Sequence, residues 1–166
     1  MIAVSDTTPL RYLIAIGQEH LLNALFTKFV IPRGVLEELT DDRTPKKVRR
    51  KVLSLPWLEV QSVSKPVTDP FPRKLHKGEH EAILLAEILR PDVLLIDEHF
   101  GRSIDLNRNL PVSGTLGVLE RADLQGLIKD FPRLLQQLKE SGFFIAPALE
   151  EQLLKRHSLR IGKRSE

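Results

Sequence analysis

The chain has no cysteine among its 166 residues, which excludes disulfides, thiolate zinc sites and a cysteine nucleophile. A reducing compartment suits that composition, and a cytoplasmic location is expected. No apolar run approaches the ~20 residues that a membrane span requires. The opening MIAVSDTTPL has neither the basic start nor the long apolar centre of a signal peptide. No membrane partner is therefore expected. Repeats and low-complexity segments are lacking too, and the formal net charge is only +3. What is present, 42% hydrophobic residues with charges of both signs, suits one soluble domain with a sizeable core.

The small net charge hides an uneven distribution. KKVRRK at 46–51 and KRHSLRIGKR at 155–164 are strongly basic. Lys46, Lys47, Arg49 and Arg50 are accordingly candidate nucleic-acid contacts. The bland alternative is a solvated helix face that turns Val48, Val52 and Leu53 inward. The second run reads as a frayed tail or a partner-binding arm, so the expected organisation is one domain over residues 1–155 and a basic tail over 156–166.

Strand-like and helical segments alternate from the start, the signature of an α/β fold with a parallel sheet. Met1–Ser5 reads as a strand and PLRYLIAIG as a helix starting at Pro9, a favoured first position for proline. Residues 20–26 read as a helix, KFVIP as the second strand, GVLEELTDD as a helix, 45–55 as another, and Trp57–Val60 as a short strand. SVSKPVTDPFP is a proline-rich loop. From Gly78 the apolar positions Ala82, Ile83, Leu85, Ala86 and Leu89 give a helix that stops before Pro91. Val93–Ile96 is apolar throughout, as a strand buried on both faces should be. FGRSIDLN reads as a helix, LPVS as a strand, GTLGVLERADLQ as a helix, and Pro132–Glu140 and Pro147–Lys155 as two more.

The hydrophobic run DVLLI breaks off at Asp97 and Glu98, where a buried strand should end, and IAVS breaks off in the same way at Asp6, Thr7 and Thr8. Active sites of open α/β sheets form at such strand ends. Glu79 opens the helix of GEHEAILLA, so three acidic sites at three element boundaries suggest one metal-binding pocket. Hard divalent ions take oxygen ligands and need neither His nor Cys. Mutual repulsion makes such a cluster unfavourable without its cation. Asp6 could instead cap the following helix, and Glu79 could favour a helix dipole, but capping does not explain Asp97. Thr7 and Thr8 could orient Asp6 or make local turn bonds. Thr115, near the start of its helix, is equally ambiguous. Arg102 could hold a phosphate through its planar fork or form a surface ion pair.

SDTTPL, VLEEL, GEHEAILLA, LLIDEHFGR and GTLGVL, in this order over about residues 1–155, resemble the PIN-domain nuclease family, in particular VapC-like members with a longer C-terminal helical extension. The resemblance implies a three-layer α/β/α fold with a central, mostly parallel sheet, and a Mg²⁺- or Mn²⁺-dependent ribonuclease. It implies a toxin role, with an RNA substrate and a small antitoxin protein as partners; a homodimer is compatible with it. Carried over by motif, Asp6, Glu38, Glu79 and Asp97 become the acidic set. On that resemblance Asp6, Glu79 and Asp97 would be metal ligands, with Glu98 assisting. VLEEL offers Glu37 as well as Glu38, and Glu79 stands where VapC proteins commonly carry Asp.

Other chemistries fit less of the chain. His76-Lys77-Gly78-Glu79-His80 matches the H-x-x-E-H zinc-peptidase signature literally, but Gly78 opens the helix between the two histidines and no third ligand follows. A haloacid-dehalogenase-like phosphohydrolase would use Asp6 as nucleophile and leave Glu38 and Glu79 idle. A non-catalytic RNA-binding module would need none of the four acids.

Overall fold

In the computed structural model, which describes residues 1–64, 77–97 and 110–164, the short apolar runs become a five-stranded sheet. Its strands are β1 (Ile2–Ser5), β2 (Lys28–Pro32), β3 (Leu58–Gln61), β4 (Val93–Leu95) and β5 (Val112–Ser113). Every pairing is parallel, in the order β3-β2-β1-β4-β5. The described helices are α1 (Thr7–Ala15), α2 (His20–Leu25), α3 (Arg33–Thr40), α4 (Lys46–Val52), α5 (Lys77–Leu89), α6 (Thr115–Leu124), α7 (Phe131–Glu140) and α8 (Pro147–Arg164).

Alternate strand residues point to opposite faces, and both faces are covered. Val4, Val30, Leu94 and Ile96 meet Ala82, Ile83, Leu85 and Ala86 of α5. Ala3, Phe29, Ile31 and Leu95 face a larger cluster that takes in Leu10, Leu22, Val48, Leu119, Leu135 and Leu153. This double burial is why the strands read as unbroken apolar runs. The result is three layers, helix on sheet on helix, as the resemblance implies. Among the described residues no helix is long and apolar enough to cross a membrane.

Chain order from β1 runs outward to β2 and β3 on one side and to β4 and β5 on the other. The reversal falls between β1 and β4, and ligands of open α/β sheets bind outside the strand ends at such a switch point. Register places Ser5 opposite Leu95. Asp6 and Asp97 therefore leave adjacent strands at the same edge.

Two expectations need correction. Helix α1 begins at Thr7, so Pro9 is its third residue; proline fits there because the first-turn N–H groups have no intrahelical acceptor to lose. The expected basic tail from 156 onward is instead the second half of α8, which continues to Arg164. The cause lies on α6. Arg156 grips Glu120 through two bonds of 3.0 and 2.7 Å. Asp123 Oδ2 accepts from Arg160 Nε at 2.8 Å and lies 2.8 Å from His157 Nδ1. Arg164 donates to the Asp123 carbonyl. His157 stacks on Phe131 at 5.1 Å, and the Arg160 guanidinium lies 5.5 Å from the same ring. The expected helix FGRSIDLN, and all but residues 62–64 of the proline-rich loop, lie outside the described residues.

Candidate functional site

Asp6 is the first residue beyond β1, and its N–H still donates to Leu95 O at 2.9 Å, so the strand ladder fixes its backbone. It is 2% exposed. Although Asp6 stands at the N-cap position of α1, its carboxylate makes no capping bond, which removes the simplest structural role for it. Asp97 follows the fully buried Ile96, whose N–H donates to Ser113 O at 2.8 Å.

Thr115 resolves its own ambiguity. Fully buried in the first turn of α6, it donates its N–H to Asp97 Oδ1 at 2.9 Å and its hydroxyl to Asp97 Oδ2 at 2.5 Å. Both carboxylate oxygens are thus held in one orientation at the positive end of a helix dipole. Gly114 is part of this cradle, because a Cβ there would run into Asp97 Oδ1.

Glu38 is held just as closely. Its Oε2 accepts from the Thr7 hydroxyl at 2.6 Å and its Oε1 from the Gly78 N–H at 3.0 Å. Thr7 therefore aims Glu38 and not Asp6. Gly78 permits the approach, since a Cβ there would lie 2.6 Å from Glu38 Oε1. The neighbouring Glu37 points elsewhere and pairs with Lys77 at 3.1 Å. That bond holds the Lys77 ammonium pKa above its ordinary value, which keeps it a cation.

A second bond completes a reciprocal brace between α3 and α5. Glu81 of α5 accepts from the Gly34 N–H of α3 at 2.6 Å, and a Cβ at Gly34 would collide with that carboxylate. Each helix thereby offers a first-turn glycine amide to a carboxylate of the other. Glu79 stands between the two braces in sequence, buried at 5% exposure in the first turn of α5. Thr8 is half-buried in the first turn of α1.

A cavity of about 430 Å³ opens beside Glu38, lined among others by Arg11, Gly34, Glu37, Arg43 and Lys77. Among the described residues no three acidic or histidine side chains are gathered closely enough to hold a metal as they stand. Glu98 and Arg102 lie outside the described residues, as does His76 of the zinc-peptidase signature. The basic helix α4 sits elsewhere. Lys47 donates to Ala15 O at 3.1 Å, at the end of α1 opposite Asp6. Arg49 turns to Asp42 at 3.6 Å, while Lys46 and Arg50 line a separate groove.

Gly34, Gly114 and Glu81 were not singled out in the sequence, and Gly78 figured there only as a helix start. The signal that could have found the glycines is a glycine at the start of a helical segment, as in RGVLEEL, KGEHE and SGTL. A glycine at a helix start is also an ordinary capping feature, so that signal alone is weak.

Comparison with known proteins extends the geometry. A structural match is a PilT N-terminus domain protein from the hyperthermophilic archaeon Sulfolobus solfataricus, at TM-score 0.52 and 16% identity, covering 74% of this chain and 93% of that one. At that identity the likeness concerns the fold. A comparison with curated proteins found no match. The family model DUF3368, a PIN domain, matches residues 2–159. PIN domains are generally metal-dependent nucleases. With the acidic strand ends at the switch point of a parallel sheet, and with a family model that spans nearly the whole chain, this protein belongs to the PIN-domain family.

Proposed function

We propose that this chain is an endoribonuclease that hydrolyses RNA phosphodiester bonds with Mg²⁺ or Mn²⁺, and that it is the toxin of a type II toxin–antitoxin pair. The observation that carries the nuclease reading is that Asp6 and Asp97 leave neighbouring strands at the same edge of the switch point, with Asp97 aimed by a buried threonine that bonds both of its oxygens.

The donor set fits a hard divalent cation, since every candidate ligand is a carboxylate oxygen. Magnesium keeps most of its waters and needs only one or two carboxylates besides the substrate phosphate. Asp6, Glu79 and Asp97 would hold it, with Glu98 beside Asp97. When bound, such an ion neutralises phosphate charge and lowers the pKa of the attacking water. The chain's own contribution is placement. The strand ladder fixes Asp6, Thr115 fixes Asp97, and Glu38 acts as a positioning residue that ties the start of α1 to the start of α5. A small antitoxin protein would act by covering this edge of the sheet.

Purified protein should cut single-stranded RNA in Mg²⁺ or Mn²⁺, lose that activity in EDTA, and regain it when Mn²⁺ is restored. Cleavage that persists in EDTA, in protein that elemental analysis shows to be metal-free, rejects the mechanism. Overexpression that leaves the host unharmed would remove the toxin role and leave the nuclease standing.

Thr115→Val keeps the side-chain shape but deletes the hydroxyl bond to Asp97. Loss of an outer partner of a metal ligand typically costs about 10–100-fold in metal affinity or activity, and that is the expected fall in kcat/KM. Thr115→Ser should restore most of it. If Val and Ser behave alike, Thr115 serves packing and does not position Asp97.

A further inference from the structure

The groove beside α4 lies away from the acidic edge, and it is electrostatically odd. Lys46 and Arg50 stand four residues apart on one helix face, and Lys47 and Lys51 do so on the next, so like charges repel at helical spacing. Lys46 and Lys47 also occupy the first turn of α4, which holds no acidic residue, where the helix dipole disfavours cations. Local roles account for half of this charge. Lys47 satisfies the Ala15 carbonyl at 3.1 Å, and Lys51 pairs with Glu19 at 3.2 Å. The side chains of Lys46 and Arg50 make no hydrogen bond or ion pair among the described residues. Together with Ile14 and Gly17 they line an open cavity of about 760 Å³.

Helix α1 runs between the acidic edge and this groove. Thr7, Arg11 and Ala15 follow one another at four-residue spacing and share one face of α1. Thr7 bonds Glu38, Arg11 lines the cavity beside Glu38, and Ala15 receives Lys47. Eight residues of helix advance ~12 Å. At ~3.4 Å per phosphate of a stacked strand, that is about four nucleotides.

We propose that the α4 groove, through Lys46 and Arg50, holds the same single-stranded RNA that is cut at the acidic edge, so that cleavage depends on RNA extending about four nucleotides to one side of the cut. This rests on the nuclease reading above and deepens it. The arginine on the connecting face of α1 favours a substrate strand over an acidic peptide, which would need only the groove.

The test uses RNAs that share one cleavage site and carry extensions of graded length on either side. Cleavage is measured with Mn²⁺, and binding is measured separately in EDTA by fluorescence anisotropy. Wild-type kcat/KM should rise on the order of tenfold or more once the extension on one side passes about four nucleotides. Lys46→Glu with Arg50→Glu should abolish that rise and lower the salt slope of log K by about 1.4, at ~0.7 per phosphate contact on a single strand. Lys155→Glu with Lys163→Glu, the same change of net charge on α8, should keep the rise. No length step in the wild type, or a step that survives in the Lys46/Arg50 variant, overturns the proposal. So does a glutamate-rich peptide that needs Lys46 and Arg50 to bind and leaves RNA binding unchanged at every length. If no RNA is cut but metal-free binding shows the length step and needs both cations, the track stands and the nuclease reading falls.

Discussion

Asp97→Asn should remove RNA cleavage by on the order of 10²–10³-fold, the usual loss when a preorganised charge-stabilising group is deleted from an active site, in a protein that still folds. The amide keeps the shape of the carboxylate. Its oxygen can accept the Thr115 N–H, and its NH₂ can donate to the Thr115 hydroxyl, so the cradle stays occupied. Like-charge repulsion alone would have Asn raise the metal-free melting temperature. The two Thr115 bonds oppose that gain, because the hydroxyl proton must then find another acceptor, and the expected melting temperature is close to wild type. Asp97→Ala is different. It strands a buried N–H and a buried hydroxyl, at about 1–3 kcal/mol for such unsatisfied groups, and should lower the melting temperature as well as the activity. Turnover near wild type in Asp97→Asn, measured beside its melting curve, would move the reaction to another part of the molecule.

The largest effect on stability is expected at Asp123→Ala, far from the acidic edge. Asp123 is fully buried, and its Oδ2 serves both Arg160 and His157. Removing one partner of a buried charge pair costs up to ~3–5 kcal/mol, because the Arg160 guanidinium left behind loses its buried carboxylate and keeps only Glu120, at 3.2 Å. For a chain of this size that is a melting-temperature fall on the order of 10 °C. Burial by itself would raise the Asp123 carboxyl pKa, but hydrogen bonds from His157 and Arg160 outweigh it and hold it below the ordinary 3.8. A depressed carboxyl contributes its stability in full above that ordinary value and loses it as pH falls through the folded-state pKa. Acid below about pH 4 should therefore weaken wild-type protein more steeply than Asp123→Ala. Adding Arg160→Met to Asp123→Ala should recover part of the loss, since a well-packed apolar replacement avoids the stranded charge. An additive double variant would mean that the pair is not coupled.

The sheet and the two aspartates were legible because their signals are local. A strand buried on both faces is an unbroken apolar run, and a carboxylate that ends it needs no partner elsewhere in the chain to be noticed. Glu37 and Glu38 could not be separated in that way. Adjacent helix residues differ by about 100° in direction, and only the positions of Thr7 and Gly78 show which one faces inward. Glu81 and Gly34 stand 47 positions apart, so nothing in either neighbourhood marks them as partners. The same reason hid the fate of the C-terminal cations. Their counter-charges, Glu120 and Asp123, lie 36 to 40 residues earlier, so a window over the last residues shows only a solvated basic stretch. Arg49 looked equivalent to Arg50, but the two point in different directions around α4.

The reciprocal brace between α3 and α5 also constrains how this sequence can diverge. A Cβ at Gly34 collides with Glu81, and one at Gly78 crowds Glu38, so alanine at either glycine requires the facing acid to retract. Aspartate is one methylene shorter. Among relatives that keep this helix pair, positions 34 and 81 should therefore change together, and so should 78 and 38, with glycine opposite glutamate or a larger residue opposite aspartate. The two pairs form separate contacts, so either can switch while the other stays as it is here.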